Sequence, residues 1–360
     1  MNNDIKIGII GCGWATEHLH LPALRRVGRY QVVALADLDI RRSEALALHT
    51  GTSRYYDNPL QIIEHPDVEA VAVCVPPGHH ASLALAAISA GKHVFIEKPM
   101  TLTVDQADQL VTAAMESKVR VLVGFNLRWH RLVREAKQML NDNSVGPLVM
   151  MRTAFTNALQ YDETSPAWRK DRVCGGGVIH DLAVHHFDLW RFLLSSDVQE
   201  ISATSRSETW HDAASVISAR MANGILVSSV FAHGTSNDHQ LDMYGAKGKL
   251  TISLYRHDGL RCYLHAQNRI VDMLQQVTSK AMVVPSAIAA LRYGGEISAS
   301  YDQQWKHFYD CVRIGTRVNC TVADGRRAVE LAVAAAESSI TGRPISMNLS
   351  PAEETYDSHE

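Results

Sequence analysis

A short, almost wholly apolar run, IKIGII at residues 5–10, passes directly into the glycine-rich turn GCGWATEH. Such a run ending in such a turn is a strand feeding a helix, and no other stretch constrains the fold as much. Gly11 permits the tight turn, and Gly13 lets the backbone approach a pyrophosphate whose charge sits on the amides of a helix N-terminus. Thr16 stands where the usual pattern has a third glycine, beside Ala15, so the helix must pack on its strand with a small side chain there.

Apolar runs then recur at QVVALAD, EAVAVCV, HVFIEKP and RVLVGF, separated by the helical patterns SLALAAISAG and VDQADQLVTAAMES. Strands apolar on both faces, as VAVCV is, belong to parallel sheets covered on both sides. The pattern therefore predicts a doubly wound α/β Rossmann domain over residues 1–125. Beyond Phe125 a polar helix, HRLVREAKQMLND, precedes strands that follow one another: VMMRTAFTN, QEISATSRSETW, ASVISAR, GILVSSVFAHG and KLTISL. Turns such as ANG and GAKG between them predict an antiparallel sheet, hence an α+β domain over residues 126–360. Its main early helix follows GGG, from about Val178 to Leu194. Arg269 to Ser300 fits neither pattern and reads as a lid, an oligomer contact or an inserted helix pair. Two helical stretches, QQWKHFYDCVRIG and DGRRAVELAVAAAESSITG, follow it.

At 360 residues the chain exceeds what one core usually supports, in keeping with two domains. A net charge of -3 leaves no basic excess for nucleic acid. MNNDIKIGII lacks the character of a signal peptide, and no run is long enough to span a membrane. The six cysteines, at 12, 74, 174, 262, 311 and 320, show no CxxC spacing and read as reduced thiols of a cytoplasmic protein.

Asp37 ends the second strand in VVALAD, where a carboxylate accepts hydrogen bonds from an adenosine ribose and repels a 2′-phosphate. NAD is the expected cofactor, with NADP the alternative because Arg41 and Arg42 lie nearby. HVFIEKPM puts Glu97 and Lys98 at the carboxyl edge of the sheet, where open α/β folds bind ligands. In GGGVIHDLAVHHFDLWRFL, Asp181 and His185 are four residues apart and share a helix face. A surface ion pair is one reading of them. A metal site with His180 and Asp188 is another, against which stand the lack of an HExxH pattern and of a third ligand elsewhere, so no metal is expected.

Together GIIGCGWATEHLHLPAL, VPPGHHASLALAAISAGKHVFIEKPMTLT, GFNLRWH, GGGVIHDLAVHHFDL and DGRRAVELAVAAAESSITGRP resemble the Gfo/Idh/MocA oxidoreductases over nearly the whole chain. That family includes inositol, glucose and other sugar dehydrogenases. The resemblance implies a second domain with a large, open, mostly antiparallel sheet that also serves in oligomerisation, giving a homodimer or homotetramer. Lys98 matches the EKP lysine, and Asp181 and His185 match the acid and histidine of DxGxHxxD, with Ala183 where that motif often has Gly. These three are the expected catalytic residues. The implied cofactor-lining set is Gly11, Gly13, Trp14, Ala15, Asp37, Pro76, Glu97 and Lys98. Asn126, Arg128 and Trp168, with Arg169 and Asp171, fall in segments that adjoin the substrate cleft in the resembling enzymes. His18, His20, His79 and His80 read as packing, capping or cofactor-edge residues.

Oxidising a secondary alcohol requires removal of the hydroxyl proton while a hydride leaves the same carbon. His185 suits the general base, Lys98 the stabiliser of the alkoxide, and Asp181 the group that orients them. A sugar, cyclitol or related polyol is the expected small-molecule partner. A non-catalytic NAD-binding sensor and an NAD-dependent glycosidase are the alternatives.

Overall fold

The computed structural model describes residues 3–160, 165–207, 210–256, 259–265 and 296–348. Six parallel strands form the first sheet: β1 (Ile5–Ile10), β2 (Tyr30–Ala36), β3 (Tyr55–Tyr56), β4 (Ala70–Val73), β5 (His93–Ile96) and β6 (Val121–Val123). Their order is β3-β2-β1-β4-β5-β6, the doubly wound arrangement expected. Helices α1 (Leu21–Val27), α2 (Ile40–Thr50), α3 (Leu60–Ile63), α4 (His80–Ser89) and α5 (Val104–Glu116) alternate with them. The punctuation is local: Asp39 caps α2 by accepting from the Arg41 amide, Thr103 caps α5 by accepting from Gln106, and Gly28 and Gly51 end their helices in the left-handed conformation. Central strands β1 and β4 are buried on both faces, which is why they read as unbroken apolar runs.

The second sheet has eight strands in the order β13-β12-β11-β7-β10-β9-β8-β14. They are β7 (Leu148–Thr156), β8 (Val198–Arg206), β9 (Ala214–Met221), β10 (Leu226–Ala232), β11 (Asp238–Gly245), β12 (Gly248–Ser253), β13 (Leu260–Leu264) and β14 (Ile345–Ser346). All pairings are antiparallel except β10 with β7, which run parallel from Leu226↔Met150 to Ala232↔Thr156. One face is buried under α6 (Arg131–Asn141), α7 (Val184–Leu194) and α9 (Val322–Thr341). The other leaves Met150, Val216, Leu226 and Val230 exposed.

Short β3, β13 and β14, and all of β11, escaped the sequence reading. In β11 the inward positions are His239, Leu241 and Met243, while outward Asp242 is itself buried by bonds to Arg152, Lys249, Gln240 and Thr251. Polar residues on both faces erase the apolar alternation. The helix expected at Val178–Leu194 is present, but its first turn, Ile179–Ala183, is wide: the Val184 amide reaches the Ile179 carbonyl, an i→i+5 bond. The helix after the glycine turn opens the same way at Thr16–His20.

The last two helices join the layers. α8 (Glu296–Arg313) puts Trp305 and Phe308 into the first core, with Trp305 stacked on Phe95 at 4.3 Å. α9 gives Ala328, Val329 and Val333 to the first core and Leu331, Ala332, Ala334, Ala335 and Ala336 to the second. Of the unassigned Arg269–Ser300 stretch, residues 296–300 begin α8, and 269–295 lie outside the described residues. No helix among the described residues is long and apolar enough to cross a membrane.

Candidate active site

At the carboxyl edge of the first sheet, Gly11 adopts φ +98, and a Cβ there would lie 2.3 Å from the Cys74 carbonyl oxygen. Gly13 is the opposite case, since a Cβ on it would meet nothing within 4 Å. That open space along the turn is the cradle a pyrophosphate needs. Thr16 fills the third-glycine position by turning its hydroxyl back onto the Gly11 carbonyl at 2.6 Å, in a helix start already widened. Asp37 accepts from the Cys12 amide at 2.8 Å and the Asp39 amide at 3.0 Å, so its carboxylate is fixed at the strand end. Arg41 is bonded to Asp39 at 2.9 Å through both Nε and Nη2, a pair on the exposed start of α2. The residues present fit a dinucleotide carrying an unmodified adenosine ribose.

Around this turn, Trp14 is exposed and stacks on His18 at 5.1 Å, Ala15 is half-buried, and Pro76 is exposed at the end of the β4 segment. Glu97 departs from expectation. Its side chain turns inward, 3.0 Å from Nε2 of the fully buried His20, and accepts from the Lys98 amide at 2.9 Å, so it shapes the loop instead of facing the cleft. Burial would raise the Glu97 carboxyl, but His20 and Lys98 overcome this and hold it below the ordinary range. His80, also buried, sets its two ring nitrogens on the carbonyls of Pro99 and Val75 at 2.7 and 2.8 Å.

Lys98 reaches across to the second domain. Its ammonium donates to the backbone carbonyl of Asp181 at 2.8 Å and to Oδ1 of the same residue at 2.9 Å. On the other carboxylate oxygen, Oδ2, converge His233 Nε2 at 3.4 Å and Arg169 at 3.6 Å. Burial would raise the Asp181 carboxyl; Lys98, His233 and Arg169 outweigh it and hold it well below the usual range. His185, one turn on, packs between Phe125 and Phe155, each ring 6.3 Å away. Its Nδ1 is buried with no hydrogen-bond partner among the described residues. Burial and the Lys98 charge push its pKa well below the ordinary value, with Asp181 opposing, so the ring is neutral at neutral pH.

GGG lets these pieces meet. A Cβ on Gly176 would stand 2.3 Å from the Arg169 carbonyl, so only glycine lets the Trp168–Arg169 segment lie against the helix start. Trp168 is half-buried, with the Arg169 guanidinium 4.8 Å over its ring, while Asp171 is spent on the Val173 amide. Two expected substrate residues are engaged by other protein groups. Arg128 is buried and bonded to Asp188 at 2.8 Å and to the Asn319 carbonyl at 3.0 Å, with Asp324 also 3.0 Å away. Asn126 is buried against the Ser300 hydroxyl at 3.0 Å. Of the residues in the metal reading, Asp188 is committed to Arg128, and no metal-holding cluster is found among the described residues.

His233 and Asn157 escaped the sequence reading. A signal was available: the buried positions of β10, Val227, Ser229 and Phe231, continue in steps of two to His233.

The N-terminal family model, described as "Oxidoreductase family, NAD-binding Rossmann fold", matches residues 5–125, and its C-terminal alpha/beta companion matches residues 137–347. An inositol 2-dehydrogenase of Pseudomonas savastanoi pv. phaseolicola is 27% identical over 356 residues, covering 97% of this chain and 98% of that one. A 1,5-anhydro-D-fructose reductase of Ensifer adhaerens is 33% identical over 204 residues, 56% of this chain and 60% of that one. Among solved structures, a levoglucosan dehydrogenase in complex with NADH shares the fold with a TM-score of 0.82 at 19% identity, covering 95% of this chain and 99% of that chain. The two matches together span most of the sequence, and the chain belongs to the Gfo/Idh/MocA family of NAD-binding oxidoreductases.

Proposed function

We propose that this protein is an NAD-dependent dehydrogenase of a secondary alcohol on a sugar, cyclitol or related polyol. The observation that carries this reading is the contact of Lys98 with Asp181 across the two domains, beside a neutral His185. The similarity to inositol and sugar dehydrogenases supports the substrate class.

NAD, when bound, supplies the hydride acceptor. His185 takes the hydroxyl proton on Nε2. The Lys98 ammonium stabilises the charge that develops on the alcohol oxygen, and being already hydrogen-bonded it needs little reorganisation to do so. Asp181 holds that ammonium in place and accepts from a neighbouring substrate hydroxyl. Trp168 offers an aromatic face of the kind that suits a sugar ring.

Incubation of the protein with NAD and a panel of sugars, inositols and sugar acids should give net nicotinamide reduction with at least one of them. With that substrate, Lys98→Met and His185→Asn should each lower kcat by roughly 10²–10⁴-fold while NAD affinity changes little. Binding of NAD without reduction across the panel would point to a sensor, and release of aryl glycosides without net reduction to a glycosidase. Either would overturn the proposal, and full turnover by either variant would overturn the residue roles.

A further inference from the structure

We infer that His233, backed by Asn157, is a positioning residue that acts through Asp181; the inference rests on the dehydrogenase reading above. The side chain of His233 is fully enclosed, so it does not touch substrate itself. Its Nδ1 lies 2.8 Å from Asn157 Oδ1. The Leu159 amide donates to that same Oδ1 at 3.1 Å, which identifies the atom as the carbonyl oxygen of the Asn157 amide. A carbonyl oxygen only accepts, so Nδ1 carries a proton. Nε2 is thereby directed at Asp181 Oδ2, 3.4 Å away, where it hydrogen-bonds that carboxylate oxygen.

The backbone anchors the far end of this chain of contacts. The Asn157 amide donates to the Ala232 carbonyl at 3.1 Å and the Thr235 amide to the Asn157 carbonyl at 3.0 Å, which ties together the ends of the parallel pair β7 and β10. From this fixed point the contacts run through His233 to Oδ2 and, on the other carboxylate oxygen, from Oδ1 to Lys98. The two oxygens of a carboxylate turn together. Whatever holds Oδ2 therefore sets where Oδ1 places the lysine ammonium. Arg169 also lies on Oδ2, but at 3.6 Å and on a partly exposed side chain it is the looser restraint of the two.

The test uses the full-length protein with His233→Phe, His233→Gln and Asn157→Leu. Phenylalanine removes the donor, whereas the glutamine amide can donate to Oδ2 as a neutral group. His233→Phe should lower kcat at least tenfold while the NAD dissociation constant stays within twofold, and His233→Gln should recover most of the rate. Nitrogen-15 NMR of histidine-labelled protein should show a ring protonated at Nδ1 whose resonance is absent in His233→Phe and displaced in Asn157→Leu. Unchanged kcat in His233→Phe, equal loss in the Phe and Gln variants, or a His233 ring unprotonated at Nδ1 would each overturn the inference. The NMR arm needs no turnover. If the wild-type protein reduces NAD with no polyol, the dehydrogenase reading falls, while the spectra still decide whether Asn157 orients His233 toward Asp181.

Discussion

Two glycines in one turn answer to different demands. Gly11 is fixed by the protein itself, through its left-handed φ and the nearby Cys74 carbonyl, whereas Gly13 faces open space. Gly11→Ala should cost more than about 2 kcal/mol in chemical denaturation, from backbone strain and a clash together. Gly13→Ala should fold with stability within about 0.5 kcal/mol of wild type. Its NAD affinity should nevertheless fall at least tenfold in a direct titration; an unchanged affinity would count against close approach of the cofactor to this backbone. Residues such as these were legible because their role is set by neighbours in sequence. Arg128 was not. Its motif placed it at the substrate, but its charge is consumed by Asp188, 60 positions on, and Asp324, 196 positions on, and no local pattern announces such partners.

Among the elements, α9 carries the most separate duties. Thr321 accepts from the Asp324 amide at 3.2 Å and Asp324 accepts from the Thr321 amide at 2.9 Å, a reciprocal cap. The same Asp324 carboxylate pairs with Arg128 and Arg191. Burial would raise it, but those guanidiniums prevail and hold it below the ordinary carboxylate range. Thr321→Ala should therefore cost about 1 kcal/mol, the usual loss of a cap, with Asp324 kept in place by its arginines. A loss several times larger in urea denaturation would mean that the cap also orders the ion-pair cluster. The helices and longer strands of the chain were readable because one face of each is apolar at its own period. β11 was not, for its inward histidine and buried outward Asp242 cancel that signal.

At the scale of the whole molecule, several buried or half-buried histidines share one response to acid. Burial lowers His130 and His180 to about 4 and His186 to about 3, and takes His185 and His239 well below the ordinary value. In the unfolded chain each takes up its proton near pH 6.5, while in the folded protein the rings stay neutral until far lower. The unfolded state thus binds more protons in that window, and stability falls as pH drops from about 6.5 toward 4, by up to about 1.4 kcal/mol per pH unit for each ring. The thermal midpoint should drop steeply between pH 7 and pH 5, and His186→Phe should flatten the slope. A midpoint independent of pH there would contradict the assignment of neutral rings.

Because α8 lends Trp305 to the first core, that core is not complete when its own strands have been made. On a ribosome, β5 and β6 emerge some 180 residues before the indole that covers Phe95, an interval on the order of ten seconds or longer at ordinary rates of synthesis. Throughout that interval Phe95 and the enclosed His20 beside it lack their cover, an exposed apolar seam of the kind chaperones bind. A nascent chain arrested near residue 300 should be cleaved in its first domain by a protease that leaves the finished protein intact, so the order of synthesis runs against the order of assembly.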